Sequence, residues 1–235
     1  VNADARLAEL AARRRLAADA IPRLRAMLEL LAGDPLAPTS VTRADDAVDV
    51  HLADALSALE VGALRTATRI ADLGSGAGVP GLVLAIALPQ ADVVLLDSSH
   101  RKCAFLERAC AVTGTRNASV VCARAEAWPD GLGRHDAVTA RAVGPLALLC
   151  EYAAPLLAVG GTLIAWKGAV APAEAIAGDR AARKLGLEAA AVVRVAPYPG
   201  SAAHHLHMYL KTADTPSRFP RRPGAAQKRP LGGVR

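Results

Sequence analysis

Aromatic residues are scarce in this sequence: they make up 3% of its 235 residues, with two phenylalanines and two tryptophans. A core with so few large rings must be filled by Ala, Val and Leu, which suits helices packed on a sheet. Paired cysteine motifs are missing as well. Cys103, Cys110, Cys122 and Cys150 form no CxxC and no zinc-like spacing with histidine, so buried, reduced thiols are expected and neither metal nor disulfide. No apolar run reaches the roughly 18 residues of a membrane-spanning helix. The N-terminal stretch with Asp4, Glu9 and Arg13 to Arg15 lacks the apolar centre of a signal peptide. A cytoplasmic protein without membrane contact is the expectation.

Net charge is also missing from most of the chain. Lys211 to Arg235 hold seven basic residues against Asp214 alone, which accounts for the whole net charge of +6. A short basic terminus on a neutral body reads either as a flexible arm for a polyanion or as a solubilising tail.

What is present is one methyl-rich domain, 52% hydrophobic, long enough for a sizeable core. Residues 3–31 read as helix, with Pro22 as the point where it breaks or restarts. Gly33, Pro35 and Pro38 make a connection. The recurrence of Val48, Leu52, Ala55, Leu56 and Leu59 predicts a second helix from Ala44 to Val61. Residues 1–68 thus form an N-terminal helical extension. From 69 to 211 the texture changes to strands alternating with helices, the pattern of a mostly parallel, doubly wound α/β sheet. Strands are expected at Arg69–Leu73, Asp92–Leu96, Ser119–Cys122, Asp136–Thr139 and Thr162–Trp166. Between them, helices start near Gly78, Ser99, Ala125 and Pro145, and a further one spans Pro172–Leu185. Leu187–Val195 and His205–Lys211 flank Pro197, Pro199 and Gly200, so they close the sheet as a hairpin with an antiparallel last strand.

The chemistry centres on Asp72-Leu73-Gly74-Ser75-Gly76-Ala77-Gly78-Val79-Pro80-Gly81. Its glycines let the backbone turn out of the first strand and lie against a ligand, and Pro80 suits the first turn of a helix. Dinucleotide enzymes share such a loop, so glycines alone do not choose a ligand. Asp72 does: a carboxylate at the strand end repels a pyrophosphate and welcomes the ammonium of S-adenosylmethionine. Asp97, ending the second strand, can accept both ribose hydroxyls of either cofactor. Arg124-Ala125-Glu126 follows the third strand, where a polar turn serves an adenine edge, although Glu126 also suits a helix start. Arg141 follows the fourth strand at the carboxyl edge of the sheet.

With these segments, and with His51-Leu52-Ala53-Asp54, Leu95-Leu96-Asp97-Ser98, Ala140-Arg141-Ala142, Trp166-Lys167-Gly168 and Thr215 to Gly224, the chain resembles the bacterial 16S ribosomal RNA guanine-N7 methyltransferases, once called glucose-inhibited division protein B. The resemblance implies a Rossmann-like, seven-stranded, class I fold using S-adenosylmethionine, and a guanine in the 530 loop of 16S ribosomal RNA as the target. It implies cofactor contacts at Gly74, Val79, Ala125, Glu126 and Arg141, to which the loop argument adds Asp72, Gly76, Gly78 and Asp97. The chain departs from the family at His204-His205-Leu206-His207, where members commonly have one arginine before the histidine and aliphatics after it.

Guanine N7 keeps a free lone pair in the neutral base, so no catalytic base is expected and catalysis is by positioning. Arg141 is placed to orient the cofactor carboxylate or guanine O6. Lys167 meets either an RNA phosphate or solvent, and Arg218, Arg221 and Arg222 in the tail are RNA contacts. His205 and His207 share a strand face but make a poor metal site without a third ligand. The expected partner is 16S RNA, the small subunit or an assembly intermediate, met by a monomer. Rival readings are a nicotinamide oxidoreductase, a small-molecule methyltransferase and a non-catalytic RNA-binding protein of the same fold.

Overall fold

Pro22 decides the first feature of the fold. Helix α1 runs Ala3–Arg14, Arg15 turns the chain at a φ of 56°, and α2 restarts at Ala20–Gly33 with Pro22 in its first turn, where no N–H is needed. The computed structural model describes residues 3–41, 43–202 and 204–232, so Val1 and Arg235 lie outside the described residues. The expected second helix is composite: α3 at Ala44–Ala47, a wide π turn at Val48–Ala53, α4 at Asp54–Ser57 and a 3₁₀ turn at Ala58–Glu60. A short α5, Gly62–Thr66, was not foreseen from the apolar spacing.

Seven strands then form one sheet: β1 Arg69–Leu73, β2 Asp92–Asp97, β3 Ala118–Cys122, β4 His135–Arg141, β5 Leu157–Lys167, β6 Leu187–Val195 and β7 His204–Lys211. Their order is β3-β2-β1-β4-β5-β7-β6. The first five are parallel, and β7 runs antiparallel to both β5 and β6. Strand β5 begins five residues earlier than expected because Gly160 and Gly161 read as a turn. A Cβ on Gly161 would lie 2.8 Å from the His135 carbonyl oxygen, so this glycine permits strand contact at an irregular register instead.

The N-terminal helices are built into the core. Leu7, Leu24, Met27, Leu52 and Leu56 are buried against α6 (Gly81–Ala87), α7 (His100–Thr113) and one face of the sheet. Each such side chain contributes about 1.5–3 kcal/mol when fully buried. The opposite face packs on α8 (Leu146–Ala153) and α9 (Pro172–Lys184).

The tail corrects the expectation of a loose arm. Phe219 and Ala226 join the core beneath α8 and α9, and a short α10 forms at Ala225–Lys228. Arg221 makes a bidentate ion pair with Glu151 on α8, whose side chain is only 2% exposed. At the start of the tail Lys211 is buried, its ammonium donating to the Ala154 carbonyl at 2.7 Å, and burial lowers its pKa to about 8. Of the cysteines, Cys103 and Cys150 are buried and Cys110 half-buried, whereas Cys122 is exposed, against expectation, beside His100. Burial lifts the Cys103 thiol to about 12 and Cys110 to about 11, which keeps both protonated.

Candidate functional site

Two adjoining cavities open at the carboxyl ends of β1, β2, β4 and β5, the edge where doubly wound sheets bind ligands. The first has a volume of about 340 Å³ and is walled by Gly74, Asp97, Ser98, Ala125, Glu126 and Tyr152, among others. Gly74, Gly76 and Gly78 all adopt positive φ, 65°, 56° and 83°, which explains why the turn out of β1 needs glycine there. Asp97 is 6% exposed. Its Oδ2 accepts from the Gly76 N–H at 3.1 Å and its Oδ1 from the Ser99 N–H at 2.9 Å. The Lys102 ammonium pairs with Oδ2 at 3.6 Å, beyond hydrogen-bond reach, so of the about four acceptor directions of a carboxylate two remain for a pair of vicinal hydroxyls.

The turn at Ala125–Ala127 leaves the N–H groups of Ala125 and Glu126 without an acceptor among the described residues. One of them can serve a purine ring nitrogen. Glu126 is not simply a helix-start acid, because its Oε1 accepts from the Gly224 N–H of the tail at 2.9 Å, leaving Oε2 for an amino group.

Asp72 departs from expectation. Alternation along β1 puts Ile70 and Asp72 on the face covered by α6. The carboxylate is fully buried, accepting from the Gly81 N–H at 3.1 Å and the Thr139 hydroxyl at 2.7 Å, and it does not line the cavity. Burial raises its pKa to about 6. Asp72 therefore positions the loop and does not face a ligand. Gly78 and Val79 likewise shape the loop from behind, since Val79 is buried in the core and a Cβ on Gly78 would touch Leu82 and Met27, whereas Gly76 acts through its N–H on Asp97.

A Cβ on Gly81 would lie 2.5 Å from Leu95 and 2.6 Å from the Asp72 carboxylate. Gly81→Ala is therefore expected to cost about 1–3 kcal/mol of stability through overpacking. A denaturation midpoint unchanged from the parent would contradict this packing.

The second cavity, about 280 Å³, is walled by Asp54, Arg141, Ala142, Gly144, Trp166, Lys167, Gly168 and His204. It shares Ala142 with the first. Ala142 holds a φ of 58°, a conformation that non-glycine residues seldom adopt and that clusters at functional sites. Arg141 lies here and not in the first cavity. Its guanidinium donates to Asp54 Oδ2 at 2.8 Å, to the Val50 carbonyl at 3.0 Å and to His51 Nδ1 at 3.3 Å. Because Nδ1 accepts, His51 carries its proton on Nε2 and donates it to the Thr39 hydroxyl at 2.8 Å. Burial, and then the Arg141 charge, lower the His51 pKa to about 4, so it is neutral at pH 7.

Asp54 anchors this cavity. Its Oδ1 pairs with His204 Nδ1 at 2.7 Å, and its carbonyl accepts from the Trp166 indole at 3.1 Å. Asp54, His51 and His204 were not singled out as site residues from sequence. The available signal was His51 and Asp54 three apart on a helix, hence on one face. Lys167 is not a free cation: it pairs with Glu174 at 2.7 Å and donates to the Gly144 carbonyl. Arg218, Arg221 and Arg222 lie in the tail, outside both cavities, and Arg221 is committed to Glu151. Among the described residues, no three His, Cys, Asp or Glu side chains converge as metal ligands would, and no helix is long and apolar enough to cross a membrane.

Residues 27–199 match the family model described as rRNA small subunit methyltransferase G. The "Ribosomal RNA small subunit methyltransferase G" of Rubrobacter xylanophilus is 41% identical over 211 residues, 87% of this chain and 81% of that protein. The protein of the same name from Roseiflexus castenholzii is 40% identical over 199 residues, 82% of this chain and 83% of its own. Among solved structures, a mutant 16S rRNA (adenine(1408)-N(1))-methyltransferase from Catenulisporales acidiphilia superposes with a TM-score of 0.53 at 18% identity, covering 65% of this chain and 89% of that one. A predicted O-methyltransferase from Agrobacterium tumefaciens does so with a TM-score of 0.52 at 25% identity, covering 68% and 81%.

Proposed function

The chain belongs to the rRNA small subunit methyltransferase G family, and we propose that it methylates N7 of a guanine in the 530 loop of 16S ribosomal RNA, with S-adenosylmethionine as the donor. The family match carries the RNA target, and the observation that supports methyl transfer at this site is the pair of cavities meeting at Ala142, one walled by Asp97 and the Ala125–Glu126 turn and the other large enough for a base. The second is roughly twice the ~150 Å³ that accommodates benzene. When bound, S-adenosylmethionine supplies a methyl group on a positively charged sulfur, and neutral guanine supplies a lone pair at N7, so no proton has to leave first.

The chain's own groups then have positioning roles. Asp97 takes the ribose hydroxyls through its two remaining acceptor directions. The Ala125–Glu126 turn takes the adenine edge, with an N–H for a ring nitrogen and Glu126 Oε2 for the amino group. Arg141, held by Asp54, the Val50 carbonyl and His51, presents a fixed guanidinium edge to the base at O6. Such preorganisation is how an enzyme without a general base accelerates methyl transfer. The free lone pair at N7 makes a base unnecessary, and Asp54 is occupied on both oxygens.

The test is transfer of labelled methyl from S-adenosylmethionine to 16S RNA and to small-subunit particles, followed by mapping of the modified nucleotide. A single N7-methylguanine in the 530 loop is expected. Label should be absent with Gly76→Arg, since Gly76 sits at a φ of 56° and its N–H holds Asp97. Modification elsewhere, or of a small molecule only, would overturn the reading.

A further inference from the structure

We infer that residues 212–232 form a two-faced strap through which ribosomal RNA phosphate, bound on the outer face, holds the inner face closed over the cofactor cavity. The inference rests on the function proposed above. On the inner face, the Gly224 N–H is bonded to Glu126 at 2.9 Å and Gln227 lines the cavity that holds Asp97. On the outer face, Arg218, Arg221, Arg222, Lys228 and Arg229 surround a hollow of about 710 Å³ with no acidic residue in its wall.

Arg221 is neutralised by Glu151 and also donates to the Arg229 carbonyl at 2.9 Å, which ties the two ends of the basic loop together. The other four cations are exposed and make no ion pair among the described residues. Like charges gathered in one hollow repel one another until an anion enters. A phosphodiester backbone fits this arrangement, because several exposed cations along one rim neutralise successive phosphates and release their counterions.

The two faces are one short piece of chain. Gly224 both bonds Glu126 and walls the basic hollow, and Gln227 and Lys228 are neighbours facing the two cavities. Phosphates that fix Arg222, Lys228 and Arg229 therefore fix the contact at Glu126. The two states are the strap seated on Glu126 and the strap lifted from it. By linkage, whatever RNA adds to cofactor retention the cofactor adds to RNA affinity. Cofactor then enters before RNA, and methylated RNA leaves before the spent S-adenosylhomocysteine.

The experiment follows the release of labelled S-adenosylhomocysteine from the full chain, chased with unlabelled compound, with and without saturating 16S RNA transcript. In the parent, RNA is expected to slow release about tenfold. The R222E/K228E/R229E variant is expected to release the compound at the parent rate without RNA and to lose that slowing. RNA slowing that persists in the variant, or RNA that binds the parent and leaves release unchanged, would overturn the coupling. A parent chain that binds no S-adenosylhomocysteine overturns the underlying function as well, so the first measurement separates the two failures.

Discussion

Asp72→Ala is expected to weaken S-adenosylmethionine binding about a hundredfold, although the carboxylate does not line the cavity that holds Asp97. Asp72 fixes the loop by accepting from the Gly81 N–H and the Thr139 hydroxyl. Hydrogen bonds to a charged group contribute about 1.5–3 kcal/mol each. If their loss disfavours the binding-competent loop by about 3 kcal/mol, apparent affinity falls roughly a hundredfold. Asp72→Asn keeps an acceptor for Gly81 and is expected to bind within about tenfold of the parent. Calorimetry on both variants decides the role: equal loss in both would mean that the negative charge itself, and not the hydrogen bonding, serves the cofactor.

The same pair of variants has a distinct pH signature. Burial raises the Asp72 pKa from 3.8 to about 6, so its contribution to stability is fully present below pH 4 and is lost as pH rises through 6. His51 behaves oppositely. Its pKa falls from 6.5 to about 4, so its contribution is present above pH 6.5 and is lost as pH falls toward 4. Each amounts to about 3 kcal/mol at about 1.4 kcal/mol per pH unit. Between pH 4 and 6 the two slopes oppose each other. Asp72→Asn should therefore be more stable than the parent at pH 7 and lose stability more steeply on acidification, by urea melts across that range. Parallel profiles for the two proteins would refute the assignment.

Arg221→Ala is expected to have the larger effect on folding. It leaves Glu151, 2% exposed, without the guanidinium that satisfies both its oxygens. Breaking a buried pair on one side costs about 3–5 kcal/mol, which lowers the melting temperature by roughly 6–20 °C in a chain of this size. Replacing both partners, as in Arg221→Ala with Glu151→Gln, should restore much of the loss, because the orphaned charge is gone. A single variant that melts with the parent would show that the tail is not seated on α8.

Short-range signals along the chain suffice for the elements and the loop. Strand β1, the β6–β7 hairpin and α9 lie within a residue of the bounds that apolar runs and Gly or Pro breaks predict, because those signals act within a few residues. The glycines of the turn and Asp97 at the end of β2 were legible for the same reason. Tertiary structure alone decided where side chains at those positions point and what they meet. Asp72 turns toward Gly81 because α6 covers that face of β1. Arg141 meets Asp54 across 87 residues, His204 meets it across 150, and Gly224 reaches Glu126 across 98. The tail's charge was countable from the sequence. Its seat was not, because a lone buried Glu151 on an apolar helix shows its partner only once the chain has folded back on it.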